Sequence, residues 1–186
     1  MKTLEFTGWK EDVIDTQEVY RGERLSLNER NDCVVRVIAS VFCMTYEQAH
    51  NYCKHILHRK NKKGTYTLNE FDGHDYLSGL CTALAFNQRH KRMCKHSNIS
   101  DYTEFEGVTR TGLHAKKFVK HFNKGTYLVL SSGHAWCCKN GVIYGNPSDD
   151  RTYVKLAYRV DGDYNKAVSE MCVIMSQVIY GKSHAK

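Results

Sequence analysis

Residues 30–42 read Arg30-Asn31-Asp32-Cys33-Val34-Val35-Arg36-Val37-Ile38-Ala39-Ser40-Val41-Phe42. Val34, Val37, Ile38 and Val41 recur at the spacing of one helical face, with Arg36 and Ser40 on the other side. The spacing predicts a helix over about 32–42, buried on most of its surface as a central helix would be. Asn31-Asp32 open it, so Cys33 stands in its first turn. A thiol at a helix N-terminus has a lowered pKa, because the dipole and the free N–H groups favour the anion. The same N–H groups can form half of an oxyanion hole.

Downstream, Thr45-Tyr46-Glu47-Gln48 fits a capping box, in which the threonine caps and the glutamine three residues on reaches back. A helix over about 46–58 follows. Residues 1–28 read as irregular. Residues 61–107 are the least regular stretch, with short helical segments around 69–85, and are expected to form an inserted, variable lobe over the site. Thr111 is the expected cap of a helix over 112–122, which Asn123-Lys124-Gly125 stops. Thr126–Ser131 (TYLVLS) reads as a strand of the buried type. His134–Lys139 (HAWCCK) and Val142–Tyr144 (VIY) flank Asn140-Gly141, a strong hairpin signal because both turn positions need positive φ. Residues 152–160 (TYVKLAYRV) predict another strand, and Ala167, Met171, Ile174 and Val178 predict a helix over about 164–180. Helices first and antiparallel strands after make an α+β domain. It divides into a cysteine-helix region (28–60), the lobe (61–107), the sheet (111–160) and a C-terminal helix (162–186).

At 186 residues, 41% hydrophobic and 25% charged, the chain suits a single domain with a real core. No stretch approaches the roughly 18 apolar residues of a membrane helix, and the first twenty residues lack a signal-type apolar region. A cytoplasmic protein without membrane contact is therefore expected. In that compartment the eight cysteines are expected to be thiols, and most of them small buried apolar residues. The net charge of +7 concentrates in residues 54–63 (KHILHRKNKK) and 89–95 (RHKRMCK). Such runs are usually solvated faces, but they are also where nucleic acid or an acidic partner would bind.

A thiol nucleophile needs a base, and the base needs an orienting group. His134 follows Ser131-Ser132-Gly133 and opens the first hairpin strand. Asn146 ends the second, just before Pro147, and cysteine–histidine–asparagine is a known form of the triad. The expected catalytic residues are thus Cys33, His134 and Asn146, with no metal and no cofactor. Asp149 and Asp150 are alternative orienting groups. Asn28 and Asn31 are the amides available as oxyanion donors; Asn28 is the choice, Gln17 standing far upstream.

The stretch from Arg30 to Ala39 resembles the NDCVVRA opening of small papain-like proteins frequent in tailed-phage genomes, which are grouped with the peptidase domains of bacteriocin-processing transporters. The resemblance continues at Thr45–Ala49, Gly125–Val129, Gly133–Ala135 and Asn140–Ile143, and covers about residues 28–60 and 112–160. It implies a papain-like fold, Cys33 as nucleophile and His134 as base. It also implies a peptidase acting on a protein or peptide, in the host cytoplasm if a phage encodes it. The chain departs from the pattern in having Gly145-Asn146 where an aspartate is usual, and in lacking a glutamine a few residues before the cysteine. A silent fold that binds and inhibits a host protein, or a deamidase or acyltransferase on the same site, would share these features. The cluster His50, Cys53, His55 and His58 raises a zinc-binding nucleic-acid module, against which stands the absence of C-x2-C pairs.

Overall fold

The computed structural model describes residues 13–61, 63–65, 81–86, 102–103 and 112–160, together with the isolated positions 169, 173 and 176. The chain begins with β1 (Val13–Asp15), α1 (Thr16–Val19) and α2 (Arg21–Ser26), followed by α3 (Cys33–Phe42) and α4 (Tyr46–His55). Next come β2 (Cys81–Ala85), β3 (Tyr102–Thr103), β4 (Leu113–His114) and α5 (Ala115–His121). Strands β5 (Thr126–Ser131), β6 (His134–Lys139) and β7 (Val142–Gly145) lead through a 3-10 turn (Asp149–Arg151) to β8 (Tyr153–Val154) and β9 (Leu156–Val160). Seven strands form one sheet in the order β1-β7-β6-β5-β9-β2-β3, and β4 pairs with β8. Pairing is antiparallel except at β1–β7 and β2–β3. The class is α+β.

Both faces of the sheet are covered, which the period-2 alternation of the strands makes visible. Leu128, Leu130, Ala135 and Cys137 face one layer, with α3 packed on them and α4 packed on α3. Tyr127, Val129, Trp136 and Cys138 face the other, where Phe118 and Val119 of α5 lie. The adjacent Cys137 and Cys138 therefore point into opposite cores, and burial pushes both thiols up, Cys138 to about 12. Among the described residues the cysteines are thiols.

Helix α3 is central as expected, with Val35, Ile38, Val41 and Phe42 excluded from water. The capping box of α4 is formed in both directions between Thr45 and Gln48. Asn140 (φ 47°) and Gly141 (φ 84°) both take the left-handed turn that joins β6 to β7.

Four expectations are corrected. Residues 13–26 form β1, α1 and α2, where an irregular segment was expected. Residues 81–85, assigned to a helical lobe, form an inner strand of the main sheet between β9 and β3. The helix expected over 112–122 starts only at Ala115, after Leu113–His114 has paired with β8, and the His114 ring caps it through the Lys116 N–H. The single strand expected over 152–160 is two, paired in different sheets. Thr111, the basic run 89–95 and most of the lobe and C-terminal helix lie outside the described residues; positions 169, 173 and 176 are helical and exposed. Among the described residues, no helix is long and apolar enough to cross a membrane. Among them, too, no three His, Cys, Asp or Glu side chains are grouped as metal ligands. His50 is bonded instead to Glu29, and burial pushes Cys53 up to about 12.

Candidate active site

Cys33 is the first residue of α3, and Asp32 occupies the cap position without making a side-chain capping bond. The Asp32 carboxylate turns away to the Arg24 Nε (2.6 Å), the Arg36 Nε (3.3 Å) and the Tyr46 hydroxyl (2.7 Å), all of which donate to it. The first-turn N–H groups, which have no partner inside a helix, are thereby left to the site. Helix α3 packs on β6, the strand that His134 opens. Helix and hairpin therefore deliver both residues to one cavity of about 450 Å3, whose wall also includes Gln17, Asn31, Gly133 and Asn146.

The His134 Nε2 lies 3.1 Å from the Asp149 Oδ2. A ring nitrogen presents a single in-plane proton or lone pair, so Nδ1 is the nitrogen left for the sulfur. Burial pushes the Cys33 thiol up. Its hydrogen bond and charge contact with His134, the Ala135 backbone N–H and the Arg36 charge outweigh burial and hold it below the ordinary thiol value. Burial alone would depress His134, but hydrogen bonds from its ring to Asp149 and Cys33, with their charges, raise it to about 9. The two shifts share one cause: each partner of the pair favours the charged form of the other. Cys53, Cys137 and Cys138 all move the opposite way, because each is buried without a comparable partner.

Asp149 takes the orienting position that was expected of Asn146. After Pro147 the chain folds into the 3-10 turn, and the Asp149 N–H donates to the Asn146 carbonyl while the Asn146 N–H donates to the Asp149 Oδ2. Asn146 thus supports the carboxylate through its backbone. Its side-chain oxygen accepts from the Gln17 Nε2 (2.8 Å) and the Arg36 Nη1 (3.1 Å). Asp150 faces α5 and pairs with Lys116 at 3.5 Å. A chain of hydrogen bonds fixes the turn from behind: Trp136 Nε1 to Ser131 Oγ, Ser131 Oγ to Thr152 Oγ1, and Thr152 Oγ1 to the Asp149 carbonyl.

Asn28 is exposed, at a left-handed turn (φ 50°), and forms no part of the cavity wall. Asn31, the other amide expected as a donor, does line the cavity, and so does Gln17. Gln17 arrives because β1 pairs in parallel with β7, Asp15 opposite Gly145, so that the next residues of α1 stand beside Asn146. Thr16 completes the joint, donating to the Gly145 carbonyl at 3.3 Å and accepting from Arg36. The signal that could have located Gln17 is short: Val13-Ile14 followed by Asp15, which caps α1 through the Gln17 N–H.

Gly145 lies against the Asp149 carboxylate and the Trp136 side chain. A methyl group built on it would overlap the Asp149 Oδ2 and lie 2.9 Å from the Trp136 Cβ. In Gly145→Ala the carboxylate has to leave the His134 ring. We expect about a tenfold slower alkylation of Cys33 at pH 7, with a stability loss of about 1–3 kcal/mol from overpacking. Iodoacetamide kinetics and thermal melting check both; an unchanged rate would mean that Asp149 does not tune the pair.

No protein-family model matches the chain, and neither a curated protein nor a solved structure matches it.

Proposed function

We propose that the chain is a papain-like thiol hydrolase that cleaves a peptide or isopeptide bond. The observation that carries this is the coupled pair itself: one cysteine of the described set is drawn below its ordinary pKa, by a histidine that a buried aspartate holds protonated. Order along the chain, nucleophile on a central helix and base on the following hairpin, agrees with the resemblance of the NDCVVR stretch.

The chemistry follows from the groups present. The Cys33 sulfur attacks the substrate carbonyl carbon, forming a C–S bond and an oxyanion. The Cys33 N–H and the second N–H of the Gln17 amide are the donors for that oxyanion. The imidazolium of His134 gives its proton to the leaving nitrogen as the C–N bond breaks, leaving a thioester. Water then attacks the thioester, His134 takes its proton, and the thiolate is restored as the carboxylic acid leaves. Asp149 keeps the ring oriented and favours its charged form throughout.

Cys33→Ala removes the nucleophile and should abolish turnover. Mass spectrometry of a host-cell protein extract incubated with wild type and with Cys33→Ala tests this. New peptide termini only in the wild-type sample mean proteolysis. Intact chains in which an amide NH2 has become OH would mean deamidation, and identical samples would count against hydrolysis altogether.

A further inference from the structure

Cations outnumber carboxylates in the wall of the cavity around Cys33. Arg24, Arg30, Arg36 and Lys63 all contribute to its wall, and the only carboxylate among the described lining residues is Asp32. That carboxylate is already taken by Arg24, Arg36 and Tyr46. Arg30 and Lys63 are exposed, and no carboxylate of the described residues pairs with either. Asn146 and Gln17, on the same wall, are neutral. A concave site lined by uncompensated cations focuses a positive potential on whatever binds there.

We propose that Arg30 and Lys63 select a peptide substrate bearing a carboxylate close to the bond that Cys33 attacks. This rests on the hydrolase proposed above. A phosphodiester backbone would also meet the charge, but it offers the sulfur no acyl carbon, so a peptide carboxylate is the ligand that satisfies both cations and nucleophile. The carboxylate can belong to an acidic side chain or to a chain terminus; the chemistry at the cations is the same.

The test compares iodoacetate with iodoacetamide, two alkylating agents that differ in carrying a carboxylate or an amide. The iodoacetamide rate reports the thiolate, and the ratio of the two rates reports selection of the anion, so any change in the thiol itself cancels. At Cys33 the ratio should exceed that of free cysteine by about tenfold and fall about fivefold in Arg30→Gln/Lys63→Gln, and added salt should lower it in the wild type. Protection of Cys33 by N-acetylglutamate amide, with N-acetylglutamine amide inactive, would place the carboxylate on a side chain. Protection by N-acetylglycine would place it at a chain terminus. Both support the inference. A wild-type ratio equal to that of free cysteine, or one unchanged in the double variant, overturns it while leaving the hydrolase standing. Protection by inorganic phosphate alone overturns it in favour of a phosphoryl ligand. An iodoacetamide rate no faster than that of free cysteine overturns the hydrolase as well.

Discussion

His134→Ala should slow reaction of Cys33 with iodoacetamide at pH 7 by about tenfold and hydrolysis by about a thousandfold or more. The two numbers differ for a physical reason. An ordinary thiol, with a pKa near 8.5, is only a few per cent ionised at pH 7. Losing His134 removes the hydrogen bond and charge that overcome burial at Cys33, so the ionised fraction falls to that of a buried thiol without a partner. A more basic thiolate is a better nucleophile, which returns a factor of several. Alkylation records only that balance. Hydrolysis also needs a proton delivered to the leaving nitrogen and taken from water, and such acid–base assistance contributes about 10²–10⁴. Equal alkylation rates in wild type and His134→Ala, with both folded, would show that the histidine does not ionise the cysteine. The buried thiols Cys53, Cys137 and Cys138 serve as internal references, since burial raises each of them.

The second large effect is on stability. Asp32→Ala should destabilise the fold by about 3–5 kcal/mol, the range for breaking a buried charge network by removing one partner. Asp32 is 1% exposed and Arg36 4% exposed, so water cannot replace the carboxylate that Arg36, Arg24 and Tyr46 share. For a domain of this size that lowers the melting temperature by roughly 10 °C. Arg36 also donates to Thr16 and Asn146, which hold β1, β7 and Gln17 together. The loss should therefore reach the site as well as the core. Calorimetric or denaturant unfolding checks it; a change under about 1 kcal/mol would mean that the network is solvated and weakly coupled.

What was legible in the sequence was local. Helix α3 follows from the spacing of Val34, Val37, Ile38 and Val41. Helix α4 follows from a cap written within four residues, and the β6–β7 turn from Asn140-Gly141. The places of Cys33 and His134 in the fold were legible because each opens an element with a strong signal of its own.

What was missed depends on pairing between distant parts of the chain. β1 is three residues long and gains its place only by lying parallel to β7, 130 residues away, and Gln17 is carried to the site by that pairing. Cys81–Ala85 (CTALA) has one β-branched residue and no aromatic, a weak strand signal, and becomes a strand because β9 and β3 lie on either side of it. The choice among Asn146, Asp149 and Asp150 turned on the 3-10 turn after Pro147, which brings Asp149 back under the His134 ring and sends Asp150 outward to Lys116. Gly145 is the residue that makes room for that carboxylate.

The coupling of Cys33 and His134 is most directly tested by following the His134 ring by NMR as pH is raised, in the wild type and after Cys33 has been alkylated with iodoacetamide. The structure predicts a ring that is charged at pH 7 and releases its proton near pH 9. Blocking the sulfur should move that release to lower pH, since one of the two groups that raise it has been neutralised. A ring that titrates near the ordinary histidine value of about 6.5, and does not respond to alkylation, would contradict that coupling.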